Sequence, residues 1–215
     1  MVNVILIGPQ GSGKGTQSEM IVREFDLTHI EAGAMIRKRA EFHDRKAEII
    51  NHLANNKGIL LPDGIVLDMI FDEIEEHGTV KGYLFDGFPR SLKQYEALKE
   101  FGHSNGFTLN AAIFLFITEA ETKLRILNRR ICSKCKKGYN LLLTPNLKQC
   151  TCGGALVSRK DDTPDAIDRR LKEYHTQTEP ILSEMKKDNI LFEIDGSNNL
   201  NEISIRIRNI IIQFS

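Results

Sequence analysis

The sequence predicts an α/β protein with a doubly wound core and two inserted excursions. Three observations carry that expectation. Short, continuously apolar runs alternate with stretches of helical periodicity, as buried parallel strands and their covering helices require. A glycine-rich loop ending in lysine joins the first apolar run to the first helical pattern. Two polar stretches, Glu31 to Leu61 and Arg130 to Arg159, break the alternation.

In chain order, Val4-Ile5-Leu6-Ile7 reads as the first strand, and Gly8-Pro9-Gln10-Gly11-Ser12-Gly13-Lys14-Gly15-Thr16 follows it directly. The glycines let backbone amides converge on phosphate oxygens at the start of a helix spanning Gln17 to Phe25, and Lys14 is placed to reach β- and γ-phosphates. The motif departs from the common form, because Gly15 rather than serine or threonine follows the lysine, and Thr16 comes second. A weaker strand covers Leu27 to Ile30, and the charged stretch from Glu31 to Leu61 reads as helical with no strand. Tyr83-Leu84-Phe85, Ala112 to Ile117 and Ile190 to Ile194 read as further buried strands. Between the last two lies Arg130 to Arg159, rich in lysine, cysteine and glycine. From Asp165 to Lys187, the residues Ile167, Leu171, Tyr174, Ile181, Leu182 and Met185 form one helical stripe. Leu200, Ile203, Ile207, Ile210 and Ile211 form another at the C-terminus.

Composition narrows the function classes. In 215 residues, 29 Lys and Arg balance 29 Asp and Glu, so no global field recruits nucleic acid or an anionic membrane. The N-terminal apolar run is too short for a signal or a membrane span and has no basic region before it, and no other apolar stretch approaches a span, which points to a cytoplasmic protein. In such a compartment the cluster Cys132, Cys135, Cys150 and Cys152 points to metal or to free thiols rather than disulfides. The six histidines are scattered without ligand spacing.

The Gly-Lys-Gly-Thr form of the loop resembles that of the adenylate kinase family of nucleoside monophosphate kinases. Two further motifs extend the resemblance over nearly the whole chain: Asp86-Gly87-Phe88-Pro89-Arg90 resembles the monophosphate signature, and Arg159-Lys160-Asp161-Asp162 with Arg170-Leu171 and Tyr174-His175 resembles the hinge and arginine helix after a lid. The resemblance implies a five-stranded parallel sheet with a core of residues 1–30, 62–125 and 160–215. It also implies a monophosphate-binding lobe at 31–61 and a lid of the long bacterial type at 126–159. The implied reaction is reversible phosphoryl transfer from MgATP to AMP giving two ADP, by an enzyme acting as a monomer with no nucleic-acid or membrane partner.

Carried over residue by residue, Gly11, Ser12, Gly13, Lys14, Gly15, Thr16, Arg125, Arg129 and Gly196 would bind ATP, with Arg125 stacked on its base. Gly33, Arg37, Leu61, Gly87, Arg90, Gln94, Arg159 and Arg170 would bind AMP, Gln94 reading the adenine edge. Lys14, Asp86, Arg90, Arg129, Arg159 and Arg170 would carry catalysis, the arginines clamping the transferring group and Asp86 orienting magnesium-bound water. Such transfer needs in-line positioning and positive charge more than covalent help.

Two departures stand out. The stretch Glu31-Ala32-Gly33-Ala34-Met35-Ile36-Arg37 lacks a threonine hydroxyl at Ala32 and a carboxylate at Ala34, a loss of roughly 0.5–1.5 kcal/mol per hydrogen bond. This leaves UMP, CMP or GMP as rival acceptors, GTP as a rival donor, and a weakly catalytic nucleotide-binding protein as a reading of another class. In the lid, Cys132-x2-Cys135 is intact, but Cys150-Thr151-Cys152 before Gly153-Gly154 is one residue shorter than the family pattern. Four thiolates suit a structural, tetrahedral zinc; remnant reduced thiols are the alternative.

Overall fold

A computed structural model describes residues 1–56, 61–78, 80–159 and 162–215, with the backbone only at 54–56. Among them, five strands form one parallel sheet: β1 (Val4–Ile7), β2 (Thr28–Glu31), β3 (Tyr83–Asp86), β4 (Ala111–Phe116) and β8 (Leu191–Asp195), in the order β2-β3-β1-β4-β8. The apolar runs are continuous because alternate residues feed two cores. Ile5, Ile7, Tyr83 and Phe85 pack on one face against Tyr95, Leu98, Ile181 and Met185. Val4, Leu6, Leu84, Ile113 and Leu115 pack on the other against Ile21, Ile203, Ile207 and Ile211.

The helices supplying those faces are α1 (Lys14–Phe25), α5 (Leu92–Ser104), α8 (Glu179–Lys187) and α9 (Leu200–Ile211). A fully buried asparagine aligns the strand entrances. Asn3 donates its backbone N–H to Asn110 Oδ1 (2.8 Å) and its side-chain amide to the Thr108 carbonyl (2.8 Å), while its Oδ1 accepts from the Tyr83 N–H (3.0 Å). Every polar group brought in is thus paired.

The chain leaves β1 for the far edge at β2, returns to β3, and later crosses to β4. Strand order therefore reverses around the C-terminal end of β1, where open α/β sheets form their ligand crevices. After β2 come α2 (Ala32–Arg39), α3 (Arg45–Ile50) and a π-helical segment, Asn51–Asn56; α4 (Asp63–His77) resumes beyond residues 57–60, which lie outside the described set.

The helix expected over Asp165–Lys187 is continuous but not uniform. It comprises α7 (Pro164–Glu173), a π turn at Tyr174–Thr178, and α8. Pro180 has no N–H to give the helical ladder, which accounts for the local rearrangement. Thr178, at the end of the turn, donates to the Arg90 carbonyl (3.0 Å).

The polar stretch after α6 (Glu119–Leu127) folds as a small antiparallel sheet: β5 (Arg129–Cys132), β6 (Gly138–Asn140) and β7 (Leu156–Val157), with β5 in the middle.

Candidate functional site

The loop after β1 is shaped by close approach. Gly8 lies so near β4 that a Cβ there would stand 2.4 Å from the Leu115 carbonyl oxygen, and Gly13 takes a left-handed conformation (φ 98°) as it starts α1. Lys14 folds its ammonium back into the loop, donating to the carbonyls of Gly8 (2.7 Å) and Pro9 (2.9 Å). Gly15 and Thr16 are exposed in the first turn of α1, where the helix dipole favours anions. Ser12 is buried, and its hydroxyl has no hydrogen-bond partner among the described residues.

Asp86 ends β3 beside the C-terminal end of β1, in register with Leu6. Its Oδ2 accepts from Ser18 (2.8 Å), one turn beyond Lys14 on α1, and lies 3.8 Å from His29 Nε2 on β2. Burial pushes the Asp86 carboxyl up, but His29, Lys14 and Ser18 together hold it below the usual carboxylate range. Lys14 is moved the other way: desolvation, reinforced by Arg90 and Arg129 and opposed by Asp86, brings its pKa from 10.5 down to about 8.

Arginines converge on the same crevice from four elements. Arg90, just after β3, remains open to solvent but is crowded by protein. Desolvation lowers its pKa, with the like charges of Arg170 and Arg37 adding to the effect and Asp86 and Glu173 opposing it. Its Nε donates to the Gly87 carbonyl (2.8 Å). Arg37 on α2 pairs with Glu31 (2.9 Å), and a Cβ on Gly33 would touch its guanidinium at 3.0 Å. Arg129 on β5 makes a two-pronged pair with Asp162 at 2.9 and 2.5 Å, and Arg170 on α7 lies 3.7 Å from the same carboxylate, whose side chain is 2% exposed. Arg125 on α6 is set apart, held by Glu121 (2.6 Å) and by the Gly196 carbonyl (2.9 Å), with the Gly11 carbonyl at 3.5 Å. Arg159 stands half-buried just past β7; Lys160 and Asp161 of the expected hinge lie outside the described residues.

Beside Arg90 is a cavity of roughly 30 Å³ lined by Ala32, Ile36, Leu61, Gly87, Arg90 and Gln94. Gln94 is 4% exposed. Its Oε1 accepts from the Arg90 N–H (2.7 Å), and its Nε2 donates to Asp63 (2.8 Å), the first residue of α4.

The four cysteine sulfurs converge within 4.8 Å of one another, with Cys132–Cys152 and Cys135–Cys150 each at 3.5 Å. Thiolates about 2.3 Å from one tetrahedral ion stand close to these separations, so the set fits zinc. The shortened second knuckle is accommodated by its glycines: Gly153 takes φ 78°, and any Cβ on Gly154 would lie 2.3 Å from Cys132 Sγ. The Tyr139 hydroxyl lies 3.0 Å from Cys150 Sγ and is the chief cause of that thiol's lowered pKa.

The crevice thus brings Lys14 within electrostatic reach of Asp86, Arg90 and Arg129, and Arg90 within reach of Arg170 and Arg37, while Arg125 bonds the Gly196 carbonyl. Sequence reasoning missed Ser18, His29, Asp63 and Tyr139 and assigned no role to Asp162. Only Ser18 carried a local signal, its four-residue offset from Lys14 on one helix face.

A family model described as adenylate kinase matches residues 6–190. Among curated proteins, the adenylate kinase of Clostridium tetani is 35% identical over 214 residues, covering 98% of both chains. That of Pyrococcus horikoshii is 36% identical over 213 residues, covering 96% of this chain and 94% of its own. The Thermosipho africanus adenylate kinase is 33% identical over 217 residues, covering 98% and 99%.

Proposed function

The chain belongs to the adenylate kinase family, and from that premise we propose that it transfers the γ-phosphoryl group of MgATP to AMP, reversibly, giving two ADP. The observation that carries this reading is the gathering of Lys14, Arg90, Arg129 and Arg170 around one crevice that holds the buried carboxylate of Asp86. An AMP phosphate oxygen attacks the γ-phosphorus as the bond to the β–γ bridging oxygen breaks. The charge that develops lies on oxygens, which fixed cations stabilise without reorganising.

In this reading the amides of Gly11, Ser12, Gly13, Gly15 and Thr16 cradle the ATP phosphates, and Lys14 reaches the β- and γ-groups. Arg125 and the Gly196 backbone flank the ATP base. Arg37 and Arg90 hold the AMP phosphate, and Gly33, Leu61, Gly87 and Gln94 meet its sugar and base. Arg129, Arg159 and Arg170 clamp the group in flight, their planar forks each binding two oxygens. Asp86, kept ionised by its neighbours, orients water on the magnesium that enters with ATP, where the ion screens phosphate charge.

The 31–61 segment acts as a monophosphate lobe and 126–159 as a lid over ATP. Cys132, Cys135, Cys150 and Cys152 would hold a structural zinc there, one that contributes folding energy to the lid and leaves no open coordination position. In this reading the enzyme acts as a monomer. Among the described residues no helix is long and apolar enough to cross a membrane. The balance of 29 basic and 29 acidic residues supports a reading without nucleic-acid partners, and a cytoplasmic location belongs to the same proposal.

In this reading the cavity lined by Ala32, Ile36, Leu61, Gly87, Arg90 and Gln94 receives the acceptor base. Initial rates of ADP formation over AMP, UMP, CMP and GMP, with ATP and GTP as donors, test the reading. AMP with ATP should give the highest kcat/KM; a preference for another pair would overturn the acceptor assignment.

A further inference from the structure

Asp63 reaches the acceptor pocket through Gln94, and it fixes what that glutamine can recognise. An amide side chain is nearly symmetric in shape: turned over, it exchanges an acceptor for a donor in the same space. A free glutamine can therefore match either an amino-substituted or an oxo-substituted base edge. Gln94 is not free. Its Oε1 faces the Arg90 N–H at 2.7 Å, a group that can only donate. Its Nε2 faces Asp63 Oδ1 at 2.8 Å, a carboxylate that accepts. The same Oδ1 takes the Ser91 hydroxyl at 2.8 Å, and the Ser91 hydroxyl in turn accepts from the Gln94 N–H at 3.1 Å, so the carboxylate is anchored to the helix that carries the glutamine. Turning the amide over would set two donors against each other at Arg90 and two acceptors against each other at Asp63. With Gln94 buried, neither clash is relieved by water.

We propose that Asp63 is a specificity-determining positioning residue: by locking the Gln94 amide it restricts the acceptor to bases whose edge pairs an amino donor with a ring-nitrogen acceptor. In the locked orientation Gln94 retains one Oε1 lone pair and one Nε2 hydrogen beyond those its partners use. That pair complements the N6 amino group and N1 of a 6-aminopurine. A 6-oxopurine presents an acceptor and an N–H in the same two places and meets like against like. Discrimination then comes from polar groups left unpaired rather than from fit, which is the stronger way to reject an isostere. It also compensates for the contact missing at Ala32, because selection rests on an amide held at both ends rather than on a hydroxyl in α2. Of the two locks, the backbone N–H cannot be removed by substitution at its own position without making proline; the carboxylate is the one a side chain sets.

This inference rests on Gln94 reading the base, and the test separates the two. The ratio of kcat/KM for AMP to that for inosine monophosphate, its 6-oxo isostere, is measured in the wild type, in Asp63→Asn and in Gln94→Ala. Asparagine can donate to or accept from the glutamine, so Asp63→Asn should narrow the AMP-to-IMP ratio by about tenfold or more, most of it as a gain for IMP, the equivalent of one unpaired polar group. Gln94→Ala should collapse the ratio further, through loss for AMP. If Gln94→Ala leaves the ratio unchanged, Gln94 does not read the base and the site assignment itself fails. If Gln94→Ala collapses the ratio but Asp63→Asn lowers activity on both acceptors equally, Asp63 is merely structural and the proposal alone is overturned. Asp63→Ser, whose hydroxyl also donates or accepts and which suits a helix start, repeats the measurement should the asparagine variant not fold.

Discussion

Raising the pH is the perturbation that most directly interrogates the charge in the crevice. Lys14 titrates in the free enzyme near 8 rather than 10.5, because desolvation and the like charges of Arg90 and Arg129 outweigh the attraction of Asp86. That displacement corresponds to about 3 kcal/mol of disfavour for the ammonium, all of it available to be regained when phosphate oxygens arrive. With a pKa near 8, only about a tenth of free enzyme carries the ammonium at pH 9, so kcat/KM for ATP should fall about tenfold per pH unit above 8. The parameter kcat should stay flat over the same range, since bound phosphates restore the charge. Steady-state rates from pH 7 to 10 with AMP saturating measure both. Lys14→Arg, slower but permanently charged, should lack the descending limb. The linkage to stability has the opposite sense. A lysine whose folded pKa is depressed binds fewer protons than its unfolded form between about 8 and 10.5, so its penalty on the fold shrinks as pH rises through that window. A flat kcat/KM profile to pH 10 in the wild type would show that Lys14 keeps its charge in the free enzyme and that the crevice does not depress it.

Other perturbations address other parts of the site. Arg90→Ala should raise the AMP KM far more than the ATP KM; equal effects in steady-state kinetics would remove the Asp86–Arg90 segment from the acceptor site. Asp162→Asn removes the buried carboxylate that pairs with Arg129 and lies 3.7 Å from Arg170, which costs about 3–5 kcal/mol for a broken buried pair and should lower both the melting temperature and kcat. Unchanged thermal stability would show that Asp162 does not organise them. Elemental analysis of protein purified without chelator should find about one zinc per chain. Stripping the zinc should melt the 129–157 sheet before the core, as read by hydrogen exchange, and metal-free protein with four titratable thiols and the same exchange pattern would contradict the assignment.

The parallel sheet was legible because its inner strands, β1, β3 and most of β4, are buried on both faces, which writes an unbroken apolar run into Val4–Ile7 or residues 111–115. The antiparallel sheet was not. Its strands are four, three and two residues long, partly exposed, and rich in Arg, Gly and Asn, so no periodicity marks them. What marks that region is instead the spacing of Cys132, Cys135, Cys150 and Cys152, with Gly154 beneath them. The glycine-rich loop and its lysine were legible because the pattern that marks them is local. Asp63 with Gln94, His29 with Asp86, and Asp162 with Arg129 are pairs far apart in the chain, and nothing in either partner's neighbourhood announces the other. The π turn at Tyr174–Thr178 was likewise hidden, since the apolar stripe runs through it undisturbed and only Pro180 hints at the break.

We propose that the converging cations pass a phosphoryl group between two nucleotides rather than to water. Phosphorus-31 NMR of the enzyme with MgATP and AMP, followed over time, tests it most directly. The prediction is that ATP and AMP disappear together while ADP grows at twice the rate of either, with no free phosphate and with the reaction halting at an equilibrium that is also reached from ADP alone. Loss of ATP with release of inorganic phosphate and no consumption of AMP would contradict it.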